Sequence, residues 1–331
     1  MRRWLTVLLA LLVIAAVVIT GCGSKTSGGT GPSASPSSQE LTGQQMFDKS
    51  QAAMQAVKSM SFKLELSAEV QGDPAKVTNA QAKAMLGQPI TVSAQGKAGN
   101  EGNKADMTMA ASAAGQSFDL GLKMDADKIW VSFMNQWYEV PKEMLQGLTG
   151  ASPSPSASAS GLSQQLQEQI KAFGIDPATW SKEFKIVGTE SMDGVDVYHV
   201  AQTLDVAKMA DDLVKVMGAA SSLGIGSASP GADAQKAAED AARIIKESIK
   251  DVTVDWYFQK DNFYLRKMAT VVSMDFSAQA DAQAQGLQSA TINLALQMAD
   301  FDQPVTVEPP AGAKPFQDLM NSLMGSGGLP L

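Results

Sequence analysis

Between residues 62 and 70 the chain changes character at every step. Phe62, Leu64, Leu66, Ala68 and Val70 are apolar, and Lys63, Glu65, Ser67 and Glu69 between them are polar. A period of two sends successive side chains to opposite faces, so this segment predicts a half-buried strand with one wet face. The alternation returns at Met107 and Met109, at Phe118, Leu120, Leu122 and Met124, and at Ile129, Val131 and Phe133. Ile90 and Val92 open a further strand, Asn100 to Asn103 reads as a hairpin tip, and Asn135-Gln136 turns the chain into Trp137-Tyr138-Glu139-Val140-Pro141. Connections this short join antiparallel neighbours. Later, Phe184 and Ile186 lead to Asp193-Gly194, a strong hairpin turn. The strand after it carries apolar residues in both phases, which predicts cover on two sides. Strands over 252–258, 264–276 and 290–298 complete the set.

Other stretches repeat at helical spacing. Thr42 and Gln45 match a capping box ahead of Met46, Phe47, Ala53, Met54, Val57 and Met60, which predicts a helix over 43–60. Leu162, Leu166, Ile170 and Phe173 mark a second helix, and Asp176-Pro177 resembles an N-cap followed by proline at the first helical position. Two more follow, one through Val206, Met209, Leu213 and Val216, the other through Ala237, Ala241, Ile244, Ile245 and Ile249. Residues 73–87 read as a loop with a short helix. The sum is about eleven strands and four or five helices, the strands in runs, which is an α+β fold with an antiparallel sheet. A sheet so wide must twist and curl, with helices covering its concave face.

The first residues follow a different pattern. Arg2 and Arg3 precede an uncharged apolar run over 4–19, and then come Ile19-Thr20-Gly21-Cys22. That order is a secretory signal, its apolar run short of the ~20 residues of a membrane span. The tetrad resembles the lipobox of bacterial lipoproteins. The resemblance implies cleavage between Gly21 and Cys22, a diacylglyceryl group on the Cys22 sulfur, and a protein held by lipid at the extracytoplasmic face of the cell membrane. Residues 1–21 are then the signal peptide. Residues 22–40, dominated by Gly, Ser, Thr and Pro with little to bury, form a flexible tether. Residues 41–331 are expected as a single domain, with low-complexity surface loops at 151–161 and 218–232.

Charge and composition narrow the function. The chain carries a net −8 and loses two arginines with its signal, so it repels phosphate backbones and excludes nucleic acid as a partner. Hydrophobic residues make up 44%, enough for a core, and Cys22 is the only cysteine, so no disulfide is expected to help hold the fold. His199 is the only histidine and sits mid-strand, a poor start for a zinc site and a better structural residue. No nucleophile elbow, phosphate loop or dinucleotide fingerprint occurs in the folded region. Asp211-Asp212 and Glu239-Asp240 read as solvated helix faces, and Asp300, Asp302 and Glu308 lack the spacing of a calcium loop. No enzyme, metal or cofactor is expected. The 18 methionines are either plain core or an adaptable lining for variable ligands, and Trp137-Tyr138 and Trp256-Tyr257-Phe258 either line a cavity mouth or are ordinary strand residues.

Five features in order resemble the LppX/LprG-type lipoproteins, which share the half-barrel fold of the carrier LolA. They are the lipobox with its tether; the Met/Phe helix leading into residues 62–70; Lys128-Ile129-Trp130-Val131 followed by Trp137-Tyr138-Glu139-Val140-Pro141; Asp193-Gly194-Val195 running into Tyr198-His199-Val200; and Val305-Thr306-Val307-Glu308-Pro309-Pro310. The resemblance spans residues 41 to about 320 and carries over no residue-level ligand motif. It implies a LolA-like domain with a cavity for acyl chains, and so an anchored protein that binds or carries a lipid or lipidated glycan. Phe62, Leu64, Leu66, Met107, Met109, Phe118, Leu120, Leu122, Ile129, Val131 and Phe133 are the candidate lining. The alternative is an envelope interaction protein with a packed interior, its protein partner not indicated by the sequence.

Overall fold

A computed structural model of the chain describes residues 41–77, 80–99, 103–113, 115–126, 128–141, 177–222, 232–250, 252–284 and 286–325. Gly21, Cys22, the tether, the 151–161 loop and the helix expected at 162–173 lie outside the described residues. The elements in chain order are α1 (Gly43–Gln55), β1 (Ser59–Gly72), α2 (Ala80–Met85), β2 (Ile90–Gly99), β3 (Lys104–Ala113), β4 (Gln116–Asp125), β5 (Lys128–Phe133) and β6 (Gln136–Val140). A 3₁₀ turn (Pro177–Trp180) leads into β7 (Ser181–Met192), β8 (Val195–Leu204), α3 (Val206–Ser222), α4 (Ala232–Ser248), β9 (Val252–Gln259) and β10 (Leu265–Asp275). Then come α5 (Ala280–Ala284), β11 (Leu287–Ala299), β12 (Lys314–Pro315) and α6 (Phe316–Gly325).

Hydrogen bonding links the strands in the order β12-β6-β5-β4-β3-β2-β1-β11-β10-β9-β8-β7, an open, mostly antiparallel sheet of 12 strands. Eleven are long and match the alternating segments. The twelfth, β12, is two residues paired in parallel with Tyr138 and Glu139, too short to leave a sequence pattern. The described residues fall into two compact units, the first within residues 1–56, 70–78 and 164–294, the second within 57–69, 79–163 and 295–331.

In the first unit β7 to β10 form antiparallel pairs, and the β7–β8 hairpin turns at Asp193 and Gly194 with φ of 51° and 78°. Both angles are left-handed, as a two-residue turn of this hand requires. The α1 capping box forms as expected: the Gln45 N–H donates to Thr42 Oγ1 at 3.2 Å, and the Thr42 N–H donates to Gln45 Oε1 at 2.9 Å. The helix ends at Gln55, five residues before the expected end. Met60 falls at helical spacing by coincidence, and its phase is that of Phe62 and Leu64 in β1. Phe47 anchors α1, its ring 5.1 Å from Phe184, 5.0 Å from Trp256 and 6.3 Å from Phe258. Val197 and Val200, on opposite phases of β8, are both fully buried, as the two-phase pattern implies. The buried Gln202 amide is satisfied by the Trp256 indole N–H, which donates to it at 2.9 Å. Helix α3 runs to Ser222 through a stretch expected as loop, since alanine favours helix as strongly as its small size suggests a linker.

In the second unit β1 to β6 form an antiparallel meander. Residues 300–313 leave β11 and cross it without regular structure. The Asp302 N–H donates to the Ser59 carbonyl at 2.8 Å, Ser59 Oγ donates to the Gln303 carbonyl at 2.5 Å, Lys123 Nζ to the Glu308 carbonyl at 3.1 Å and Gln136 Nε2 to the Gly312 carbonyl at 3.3 Å. The chain is thus tied to β1, then β4, then β6. Val307 is buried beneath it, which gives the Val-Thr-Val-Glu-Pro-Pro run a structural purpose.

Candidate functional site

The register of the second unit sorts its side chains into two faces. Directly opposed residues of an antiparallel ladder share a face. One row reads Leu64, Ala94, Met109, Leu120, Phe133, each the cross-strand partner of the next. A second reads Phe62, Gly96, Met107, Leu122, Val131, Tyr138, and a third Leu66, Val92, Ala111, Phe118. A fourth runs from Met60 through Ala98, Ala105 and Met124 to Ile129 and Val140. All eleven candidate lining residues therefore lie on one face, which carries no charged side chain in these rows.

That face is not closed over by the described protein. Leu66 is buried, but Met109 and Leu120 are each 39% exposed, and Phe62, Leu64, Met107, Phe118, Leu122, Ile129, Val131 and Phe133 are half-buried. The rows also have relief. Bulky residues come from β1, β3, β4 and β5, while β2 contributes Ala94, Gly96 and Ala98 beside Val92. Sequence reading missed this part: Ile90, Val92, Ala94, Gly96 and Ala98 do alternate with polar residues, but small side chains give a weak hydrophobic signal. Gly96 is required sterically, because a Cβ there would press on the Asp106 carbonyl and lie 2.6 Å from Met107 Cβ.

The polar candidates stand elsewhere and are engaged. In the first unit His199 Nδ1 lies 2.8 Å from Glu190 Oε1 and Nε2 lies 2.8 Å from Asp255 Oδ1, with Tyr257 stacked on the ring at 4.4 Å. Burial, then the charges of Asp255 and Glu190, push the Tyr257 hydroxyl above its ordinary pKa. Asp212 corrects the solvated-face expectation: it is 4% exposed, accepts from Trp180 Nε1–H at 2.7 Å and pairs with Lys215 at 2.5 Å. Its carboxylate fastens α3 to the 3₁₀ turn. Asp211 pairs with Lys246 and Asp240 with Arg243, both on α4. Asp300 accepts from Ser61 Oγ and Asp302 from the Lys58 N–H, each at 2.7 Å. Among the described residues no three His, Cys, Asp or Glu side chains gather as a metal would need.

The chain is similar to the lipoprotein LppX of Mycobacterium tuberculosis, at 13% identity and a TM-score of 0.34 over 80% of this chain and 96% of that chain. It is similar also to LprF of Mycobacterium bovis, at 12% identity and a TM-score of 0.37 over 82% of this chain and 97% of that chain. No family model and no curated protein matches the sequence. A likeness this distant assigns neither ligand nor residue role. No helix among the described residues is long and apolar enough to cross a membrane.

Proposed function

We propose that this chain is a lipid-anchored envelope protein that binds or carries a hydrophobic ligand, of lipid class, on the apolar face of β1 to β6. The observation that supports it is the continuity of the apolar rows across the meander, with Met109 and Leu120 left accessible at their centre. An exposed apolar surface of this kind marks a place meant to be covered. An acyl chain laid on it leaves water at ~0.8 kcal/mol per methylene, before ordering costs. Binding of this kind is passive and needs neither cofactor nor catalytic residue. The signal peptide is residues 1–21, and the lipid on Cys22 holds the protein at the extracytoplasmic face, with residues 22–40 as its tether to a LolA-like domain.

Native mass spectrometry of the full chain, followed by chloroform–methanol extraction, tests the reading. The expected result is a non-covalent lipid released on extraction, beyond the lipid covalently held at Cys22. A protein that repeatedly shows only its covalent mass would point instead to an interaction protein without a ligand.

A further inference from the structure

The opposite face of the same meander holds a cleft of about 450 Å³, within the ~300–1,000 Å³ usual for ligand sites. Its floor is ordered by the register. One row across it reads Lys63, Gln95, Thr108, Gly121, Ser132, Trp137, each paired with the next on the neighbouring strand from β1 to β6. The parallel row beside it reads Glu65, Ser93, Ala110, Asp119. Both rows line the cleft. At ~4.8 Å per strand spacing the longer row extends roughly 24 Å. Residues 300–313 run over the next row of the same face, where Lys123 pairs with Asp106 at 3.4 Å and reaches the Glu308 carbonyl.

We propose that this cleft binds a neutral saccharide chain. Trp137 supplies an apolar plate. Gly121 makes room for it, since a Cβ there would meet Trp137 Cη2 at 2.6 Å, and Lys123 Nζ lies 5.5 Å from its ring centroid. A sugar ring offers an aromatic plate its C–H face and offers side chains its hydroxyls. Six further side chains of the lining suit hydroxyls: two amides (Gln95 and Asn135), three hydroxyl side chains and the Asp119 carboxylate. Among the described residues, Gln95, Thr108 and Asp119 form no side-chain hydrogen bond or ion pair within the protein, so their capacity is available to a ligand. Charge argues against an anion. Lys63 is the one cation of the lining and is already paired with Glu65 at 2.9 Å, while Asp119 adds a further negative charge. Ala94, Met109 and Leu120 also border the cleft, but the row they belong to faces the other way, and the polar side chains outnumber them.

Saturation-transfer NMR and calorimetry on the full chain, with maltopentaose, cellopentaose and mannopentaose as probes and inorganic phosphate as control, test the proposal. At least one pentasaccharide is expected to receive saturation at its C–H protons, and phosphate to show no heat. Trp137→Ala should weaken binding by roughly tenfold or more. Ala110→Arg, which fills the floor from an accessible position without touching the Trp137 seat, should do the same and decides the matter if Trp137→Ala lowers the melting temperature. Lipid recovery from Ala110→Arg should match that of the parent chain, which separates this cleft from the apolar face. No transfer to any of the three sugars, or transfer undiminished in Ala110→Arg, overturns the proposal.

Discussion

Gly96 shows how little slack there is between β2 and β3. The residue is in an ordinary strand conformation, so its requirement is close approach and not backbone freedom. A methyl group there would collide with β3, whose backbone cannot yield without breaking ladder bonds. Gly96→Ala is expected to destabilise the chain by about 1–3 kcal/mol, read as a lower urea midpoint. Tyr257 allows a second test. Its ordinary pKa of 10.0 is raised by burial and by Asp255 and Glu190. As pH rises past that ordinary value the unfolded chain gives up this proton before the folded chain does. Stability present below it is therefore lost progressively until pH passes the folded value. Urea melts in an alkaline pH series should show this decline in the parent chain and a shallower one in Tyr257→Phe. An unchanged slope would remove Tyr257 from the account.

Among the elements, α1 joins local and tertiary signals most closely. Its start is fixed by the Thr42 and Gln45 cap, and its position by Phe47 among Phe184, Trp256 and Phe258. The two contributions separate by magnitude. Thr42→Ala should cost about 1 kcal/mol, and Phe47→Ala about 3–5 kcal/mol, in thermal or urea unfolding. A reversed order would mean that α1 is held by its ends and not by its packing. The same distinction explains what the sequence disclosed. The strands of the meander were legible because one face is apolar and the other polar, so period two is written into residues 62–70 and 118–124. The eleven lining candidates share a face for that reason. Three features were hidden. Residues 300–313 have no regular structure, so they carry no period. The small residues of β2 mark relief by lacking bulk, and a hydrophobic pattern registers bulk. Asp212 sits beside Asp211 in a sequence that looks solvated, and only the indole of Trp180, from a distant segment, makes it a buried anchor.

For the whole molecule, address and ligand should be separable properties, because the groups that carry them share no residues. Two acyl chains hold a protein at a bilayer stably where one does so only marginally, and the proposed anchor puts both on Cys22. The ligand reading rests instead on Leu120 and Met109, each 39% exposed and therefore replaceable at small cost, within ~0.5 kcal/mol for a surface position. Cys22→Ala is expected to move the chain from the membrane fraction to the soluble one with its extractable lipid retained. Leu120→Glu, which sets a carboxylate in the middle of an apolar row, is expected to stay in the membrane fraction, melt as the parent does, and yield little or no extractable lipid. The two variants should thus fail in opposite assays. If Leu120→Glu keeps its lipid in full while Met109→Glu does too, the apolar rows are not where the ligand lies. A Cys22→Ala chain that stays on the membrane would mean that something other than the lipobox holds it there.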